Sequence, residues 1–259
     1  MLKEFRADLH IHTCLSPCAD LDMTPSSIVK TAREKNLDII AVTDHNSAEN
    51  TAAARRAAGG TALTVLAGME ITSSEEAHIL AVFDDMEGVM KLQDKVYESL
   101  LPAEDIRPSS PFDTGGPGGF GEQVVVNEKD EVMGFSNRLL IGATALPADS
   151  IVNTIHSLGG LAVASHVDRE AFSIISQLGF IPGELKFDAL EISARADRKN
   201  AEHLFENYRS FAWISSSDAH YIKDIGRAAT VFLIKEPTAA EMALAMKGVN
   251  GRSVKRPRL

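Results

Sequence analysis

The sequence predicts an α/β fold, a closed or nearly closed barrel of the TIM kind, and three observations predict it. Short apolar, β-branched runs alternate with helical patterns, the signature of βα units. About seven parallel strands joined by short crossovers are enough to close a sheet on itself. And 259 residues, 44% hydrophobic and 24% charged, can bury the single large core that such a barrel requires. An open, doubly wound sheet is the competing architecture.

In chain order, strands are expected at 7–12 (ADLHIH), 37–45 (LDIIAVTDH), 62–71 (ALTVLAGMEI), 78–83 (HILAVF), 161–166 (LAVASH), 189–193 (ALEIS), 212–217 (AWISSS) and 229–234 (ATVFLI). The helix at 24–36 opens with Thr24 as a cap and Pro25 at its first position. Helices at 48–58 and 147–158 stop at Gly59-Gly60 and Gly159-Gly160. One segment breaks this rhythm. Residues 101–123 are rich in Pro and Gly without periodicity, and 123–135 then read as a hairpin turning at Asn127 to Asp130. Residues 98–146 are therefore an insertion, a lid or small cap, between barrel parts 1–97 and 147–250. The last stretch, 251–259, carries four basic residues beside a Pro and reads as a solvated basic tail.

Bulk properties narrow the function. A net charge of −10 argues against sequence-independent wrapping of nucleic acid, but leaves room for a short anionic substrate held by cations. Two cysteines make no disulfide framework and point to a reducing cytoplasm. No signal-like apolar region opens the chain, and no run reaches the roughly 18 apolar residues of a membrane span. A soluble, cytoplasmic protein without a membrane partner is expected.

The polar residues that end these strands carry the chemistry. Strand alternation puts Asp8, His10 and His12 on one face and Leu9 and Ile11 on the other. The second strand ends in Asp44 and His45, the third in Glu70, the fifth in His166, and the seventh in Asp218 and His220. Five strands thus deliver His, Glu or Asp to the rim where parallel barrels place their active sites. Imidazoles and carboxylates gathered there would be costly to desolvate without cations between them; with cations, they are mixed N/O ligands of the kind Zn, Mn and Fe accept. His78 begins its strand instead of ending it, and the pattern alone leaves it open. Cys14 and Cys18, close behind the first two histidines, read as bystanders: a core this large needs no zinc staple.

The ordered set DLHIHT at 8–13, AVTDHN at 41–46, GMEI at 68–71, HILAVF at 78–83, ASHVDR from 164 and SSSDAH at 215–220 resembles the PHP (polymerase and histidinol phosphatase) family over nearly the whole chain outside the insertion and tail. The resemblance implies a distorted TIM-like (β/α)7 barrel and two or three divalent metal ions that hydrolyse phosphoesters with a metal-activated hydroxide. It implies His10, His12, His45, Glu70, His78, His166, Asp218 and His220 as metal ligands. A further ligand is implied in the loop after His12, where Asp20 keeps the family offset and the longer loop slightly favours Asp22. Glu70 is the candidate to bridge two ions, Asp218 to bridge or to position water, and Asp44 to orient an imidazole or bind metal.

Arg169 and Arg195, just beyond strand ends, are the candidate phosphate contacts. The substrate expected is a small phosphate ester, a phosphomonoester or nucleotide. Trimming of oligonucleotide ends is an alternative. An amidohydrolase is a further one, disfavoured because no Lys ends a strand to bridge metals. A non-catalytic scaffold would have lost ligands that are present here.

Overall fold

The computed structural model describes residues 1–100, 121–255 and 257. In chain order the strands and helices are β1 (Lys3–Ile11), α1 (Pro25–Glu34), β2 (Ile39–Val42), α2 (Thr51–Ala57), β3 (Thr64–Thr72), β4 (His78–Phe83), α3 (Met86–Ser99), β5 (Val124–Val126), β6 (Val132–Phe135), α4 (Ala148–Ser157), β7 (Leu161–Ala164), α5 (Ile174–Leu178), β8 (Ala189–Ile192), α6 (Arg198–Asn207), β9 (Ala212–Ser215), β10 (Thr230–Ile234), α7 (Ala239–Met246) and β11 (Ser253–Val254). One sheet runs β11-β10-β1-β2-β3-β4-β7-β8-β9. Its far edge returns to β1 through a bridge between Ile11 and Ala219, and to β10 through Ser215 N–H donating to Thr230 Oγ1 at 2.8 Å. The result is the nearly closed barrel that the alternation predicts. α1 begins where expected, with Thr24 accepting from Ser27 N–H and Pro25 at the first position.

Parallel order is broken at two places. β4 pairs antiparallel with both β3 and β7, and β10 pairs antiparallel with β1. The reason for the first is length: only residues 73–77 join β3 to β4, too short for a parallel crossover. Because β4 runs backwards, its start lies on the rim where its parallel neighbours end.

Core packing follows from strand alternation. Phe5, Leu9, Ile39, Leu66, Leu80, Val163, Ile214 and Phe232 form the barrel interior, floored by Ala239, Met242 and Ala245 of α7. Outside, α3 and α4 cover β3 and β4 through Val89, Leu92, Ile151 and Ile155. One expected face assignment fails. Leu9 packs inside, whereas Ile11 packs outside with Ile28 and Val42, so the two do not share a face. The β1–β2 register shifts between Asp8 and Ile11, and that irregularity changes the parity of β1 just before its histidines.

The hairpin β5–β6 stands where its alternation predicts, and it docks on the barrel. Asn50 donates to Val124 O at 3.0 Å and accepts from Val126 N–H at 2.9 Å, while Val124 N–H donates to Cys14 O at 3.0 Å. The Pro/Gly-rich lid segment at 101–120 lies outside the described residues. The basic tail is in part ordered structure: β11 pairs with β10, and Lys255 N–H donates to Val231 O at 2.9 Å, because β10 would otherwise leave an edge exposed. Residues 256, 258 and 259 lie outside the described set. Among the described residues no helix is long and apolar enough to cross a membrane.

Candidate metal centre

β1, β2, β3, β4, β7 and β9, or the turns that follow them, bring six histidines and two carboxylates to one pocket. His10, His12, His45, Glu70, His78 and His166 are all buried. Glu70 is at the centre. Its Oε1 lies 3.2 Å from His10 Nε2, 3.1 Å from His78 Nδ1 and 3.3 Å from His166 Nε2; its Oε2 lies 3.2 Å from His45 Nδ1 and 3.5 Å from His12 Nε2. Asp218 Oδ1 is 3.3 Å from both His10 Nε2 and His12 Nε2, and the His220 ring stacks on His12 with centroids 4.2 Å apart. His78 joins the site from the start of β4, as the antiparallel strand dictates.

The surrounding hydrogen bonds decide which ring nitrogens are free. His10 Nδ1 donates to Glu191 Oε2 at 2.9 Å. The Ser16 hydroxyl gives its only proton to Asp44 Oδ1 at 2.7 Å, so it accepts from His12 Nδ1–H at 3.0 Å. His12 therefore turns an Nε2 lone pair inward, 3.2 Å from His10 Nε2. Buried His45 Nδ1, His78 Nδ1 and Glu70 Oε1 also have no hydrogen-bond partner among the described residues. Three overlapping groups have donor atoms close enough to share an ion: His10, His12 and Asp218; His12, His45 and His220; and His45, Glu70 and His78. Divalent ions fit this set.

Charge states agree. Burial works against ionisation of Glu70, yet His78 and His10 hold its carboxyl well below the usual range. Burial likewise opposes Asp218, but His10 and His12 outweigh it and drive the carboxyl well down. Burial, then His220, brings His12 down to about 4, and burial with His12 beside it holds His45 well below an ordinary imidazole. Burial also pulls His10 down, but Glu70, Glu191 and Asp218 outweigh it and raise it. Ionised Glu70 and Asp218 beside the neutral imidazoles of His12 and His45 are the donor chemistry of a cation site.

Backbone geometry is bent to aim these groups. His166 and Asp218 adopt left-handed conformations with φ of 28° and 49°, and so does Asn46, at 49°. Asp8 accepts from Ser217 N–H at 2.9 Å and Gly226 N–H at 2.8 Å, fixing the turn that carries Asp218 and His220. Asp44 accepts from Thr13 N–H at 2.6 Å, Thr13 Oγ1 at 2.8 Å and Ser16 Oγ, so it holds the loop after β1.

The other sequence candidates lie further out. Asp20 and Asp22 are exposed and belong to none of the three groups; Asp20 Oδ1 accepts from Asp22 N–H at 2.9 Å. Arg169 Nη2 lies 2.5 Å from Asp218 Oδ2, and with Arg195 it lines a cleft of about 270 Å3 that opens on Asp218 and His220. A larger cleft of about 860 Å3, at the α7 end, contains none of these groups. Cys14 is buried, which pushes its thiol up to about 12, and Cys18 is exposed. The residue that strand-end reasoning missed is Glu191. It is buried, it accepts from His10 and from His166 N–H at 3.1 Å, and its Oε1 has no partner among the described residues. The signal was present: a lone carboxylate inside the apolar run ALEI.

The PHP domain family matches residues 8–171, and a PHP-associated family matches residues 204–247. No curated protein matches the chain. Among solved structures, a lesion-specific endonuclease from Pyrococcus furiosus is similar at 20% identity and a TM-score of 0.70, over 97% of this chain and 58% of that one. An endonuclease Q complex is similar at 21% identity with the same TM-score of 0.70 and the same coverage of 97% and 58%. A Bifidobacterium adolescentis protein assigned as a metal-dependent phosphoesterase has 19% identity and a TM-score of 0.59, over 92% of this chain and 95% of its own. At these identities the likeness speaks to the fold. The chain spans less than two thirds of the length of the two endonucleases.

Proposed function

The chain belongs to the PHP family, a family of metal-dependent phosphoester hydrolases, and on that footing we propose which of its residues bind the ions, hold the substrate and set the geometry of attack. The observation that carries the proposal is the convergence of six histidines and two carboxylates on one pocket, where three overlapping groups have donor atoms close enough to share an ion. His10, His12, His45, Glu70, His78, His166, Asp218 and His220 are the proposed ligands of two or three ions, Zn, Mn or Fe. When bound, the ions supply Lewis acidity, giving a nucleophilic hydroxide at neutral pH and offsetting charge on the phosphoryl oxygens.

The chain's own groups do the rest. Glu70, with Oε1 toward His10, His78 and His166 and Oε2 toward His45 and His12, would be shared between neighbouring ions. Asp218 faces both the first two histidines and the open cleft, where it orients the attacking water. Arg169, held by Asp218, and Arg195 offer planar donors to the phosphoryl group. Asp44 acts through Ser16, setting the tautomer of His12. Asp20 and Asp22, exposed at the loop, remain the proposed outer ligand position, with Asp20 tied to His220 by its N–H donating to His220 O at 2.9 Å.

A small phosphate ester is the substrate proposed for the cleft of about 270 Å3. The similar endonuclease Q, whose complex holds a 27-mer duplex with an abasic lesion at the active site, supports the broader part of the second reading, a nucleic-acid substrate; trimming at an end is the form of it proposed from the acidic net charge. We propose the hairpin β5–β6, fixed to the loop after β1, as one wall of the entrance. A reducing cytoplasm is the proposed compartment, with Cys14 and Cys18 as free thiols.

The test is a screen of Mn-loaded protein against phosphomonoesters, nucleoside bisphosphates and short oligonucleotides, with metal content measured on the same sample. Turnover of at least one class is expected. Inertness toward all, with two or more equivalents of metal bound, would favour a scaffold.

A further inference from the structure

The cleft beside Asp218 and His220 does not end at the metal centre. It is lined by Arg169, Arg195 and Arg227, with Tyr221 beside them. A second cleft of about 510 Å3 shares Ala194 and Arg227 with the first, adds Arg6 and Lys255, and has no carboxylate in its lining. Five cations thus follow one another along a trench in a chain whose net charge is −10. The acids along the way are Asp218, at the metal centre, Asp224, 3.5 Å from Arg227, and Glu4, beside Lys255.

The cations are not all equivalent. Arg6 donates to Lys35 O at 2.6 Å and Gly226 O at 3.0 Å, so it is rigid and contributes its field. Lys255 pairs with Glu4 at 2.6 Å, with both side chains more than half exposed, a contact that water largely screens. Arg195 makes no ion pair among the described residues. Tyr221 is 49% exposed, and Lys223 Nζ sits 5.3 Å from its ring centroid. A file of cations with an exposed aromatic face is how proteins hold single strands: phosphates along the groove, a base stacked on the ring.

We infer that this trench binds the end of a single-stranded nucleic acid, its terminal phosphate at the metal centre and the following phosphates running past Arg227 to Lys255. The inference rests on the phosphoesterase reading and names its substrate class. A lone phosphate ester fills only the first cleft. The acidic remainder of the surface limits contact to a few nucleotides, which suits binding of an end and not of a long tract.

The experiment measures binding of end-labelled, cleavage-resistant phosphorothioate oligothymidylates of increasing length to the full chain by fluorescence anisotropy. Affinity should rise over the first few nucleotides and then level off. Arg227→Gln and Lys255→Gln should each lower the slope of log affinity against log salt by about 0.7. Tyr221→Ala should weaken oligonucleotide binding about ten-fold without changing competition by inorganic polyphosphate. A mononucleotide that binds as tightly as a dodecamer would overturn the trench, as would unchanged salt slopes in both variants. Polyphosphate competing as well as oligonucleotide would overturn the nucleic-acid assignment. If metal-loaded protein cleaves phosphomonoesters but shows no length dependence, the trench alone falls. If it binds strands with the expected length dependence yet cleaves no phosphate ester, the trench stands and the phosphoesterase reading falls.

Discussion

At one end of β1, Phe5 and Ala7 lie in the barrel interior against Phe232, Ile234 and Met242; at the other, His10 and His12 lie among buried carboxylates. The first end is all apolar contact, floored by α7, and its nearby charged pair, Arg252 with Glu241 at 2.7 and 2.8 Å, closes on itself. The second leaves donor atoms unpartnered and bends non-glycine backbone into left-handed conformations at Asn46, His166 and Asp218. Folding free energy comes from the first end; the second spends stability on geometry.

If that division holds, variants at the two ends separate turnover from stability. The largest effect belongs to the rim. His12→Ala or Asp218→Ala should lower turnover of a phosphomonoester by roughly a thousand-fold or more, with the melting midpoint within a few degrees of wild type; a variant that keeps most of its activity would remove that residue from the proposed machinery. Next, Phe232→Ala at the opposite end should cost about 3–5 kcal/mol, a drop of roughly 10 °C in melting midpoint, while turnover per folded molecule stays unchanged. Loss of activity below the melting range would show the two ends to be coupled. Smaller again, Glu191→Gln should weaken metal binding about 10- to 100-fold, read by competition with a chelator, since the amide no longer demands Nδ1–H on His10.

The smallest effect sharpens the comparison by pH. Arg252, donating to Glu241, holds that carboxyl down to about 2 from an ordinary 4.5. The folded state therefore takes up its proton later than the unfolded chain does. The pair's contribution is complete above about pH 4.5 and fades as pH falls toward about 2. Glu241→Gln should lower the melting midpoint slightly at pH 7, and the gap to wild type should close on acidification. A gap that persists at low pH would trace the effect to packing.

Much of this was legible in sequence because strand alternation and the rim rule are local. The βα rhythm located all eight barrel strands from 7 to 234, and the strand-end residues His45, Glu70, His166, Asp218 and His220 meet in one pocket. What pattern alone left open had a cause in topology. His78 needed the knowledge that β4 runs antiparallel, which the short link at 73–77 could have supplied. The opposite facing of Leu9 and Ile11 arises from a register shift that no alternation reveals. Glu191 was hidden because its role depends on His10, 181 positions away. The exposed places of Asp20 and Asp22 follow from the path of a loop, which spacing does not fix.

The turn held by Asp8 has a consequence for biosynthesis. The first histidines are made before Asp218, His220 and the bridge from Ala219 to Ile11, which come some two hundred residues later. A nascent or prematurely released chain therefore lacks part of every ion-binding group that contains His12, and it has no closed rim. The rim closes only when both ends of this span are in place.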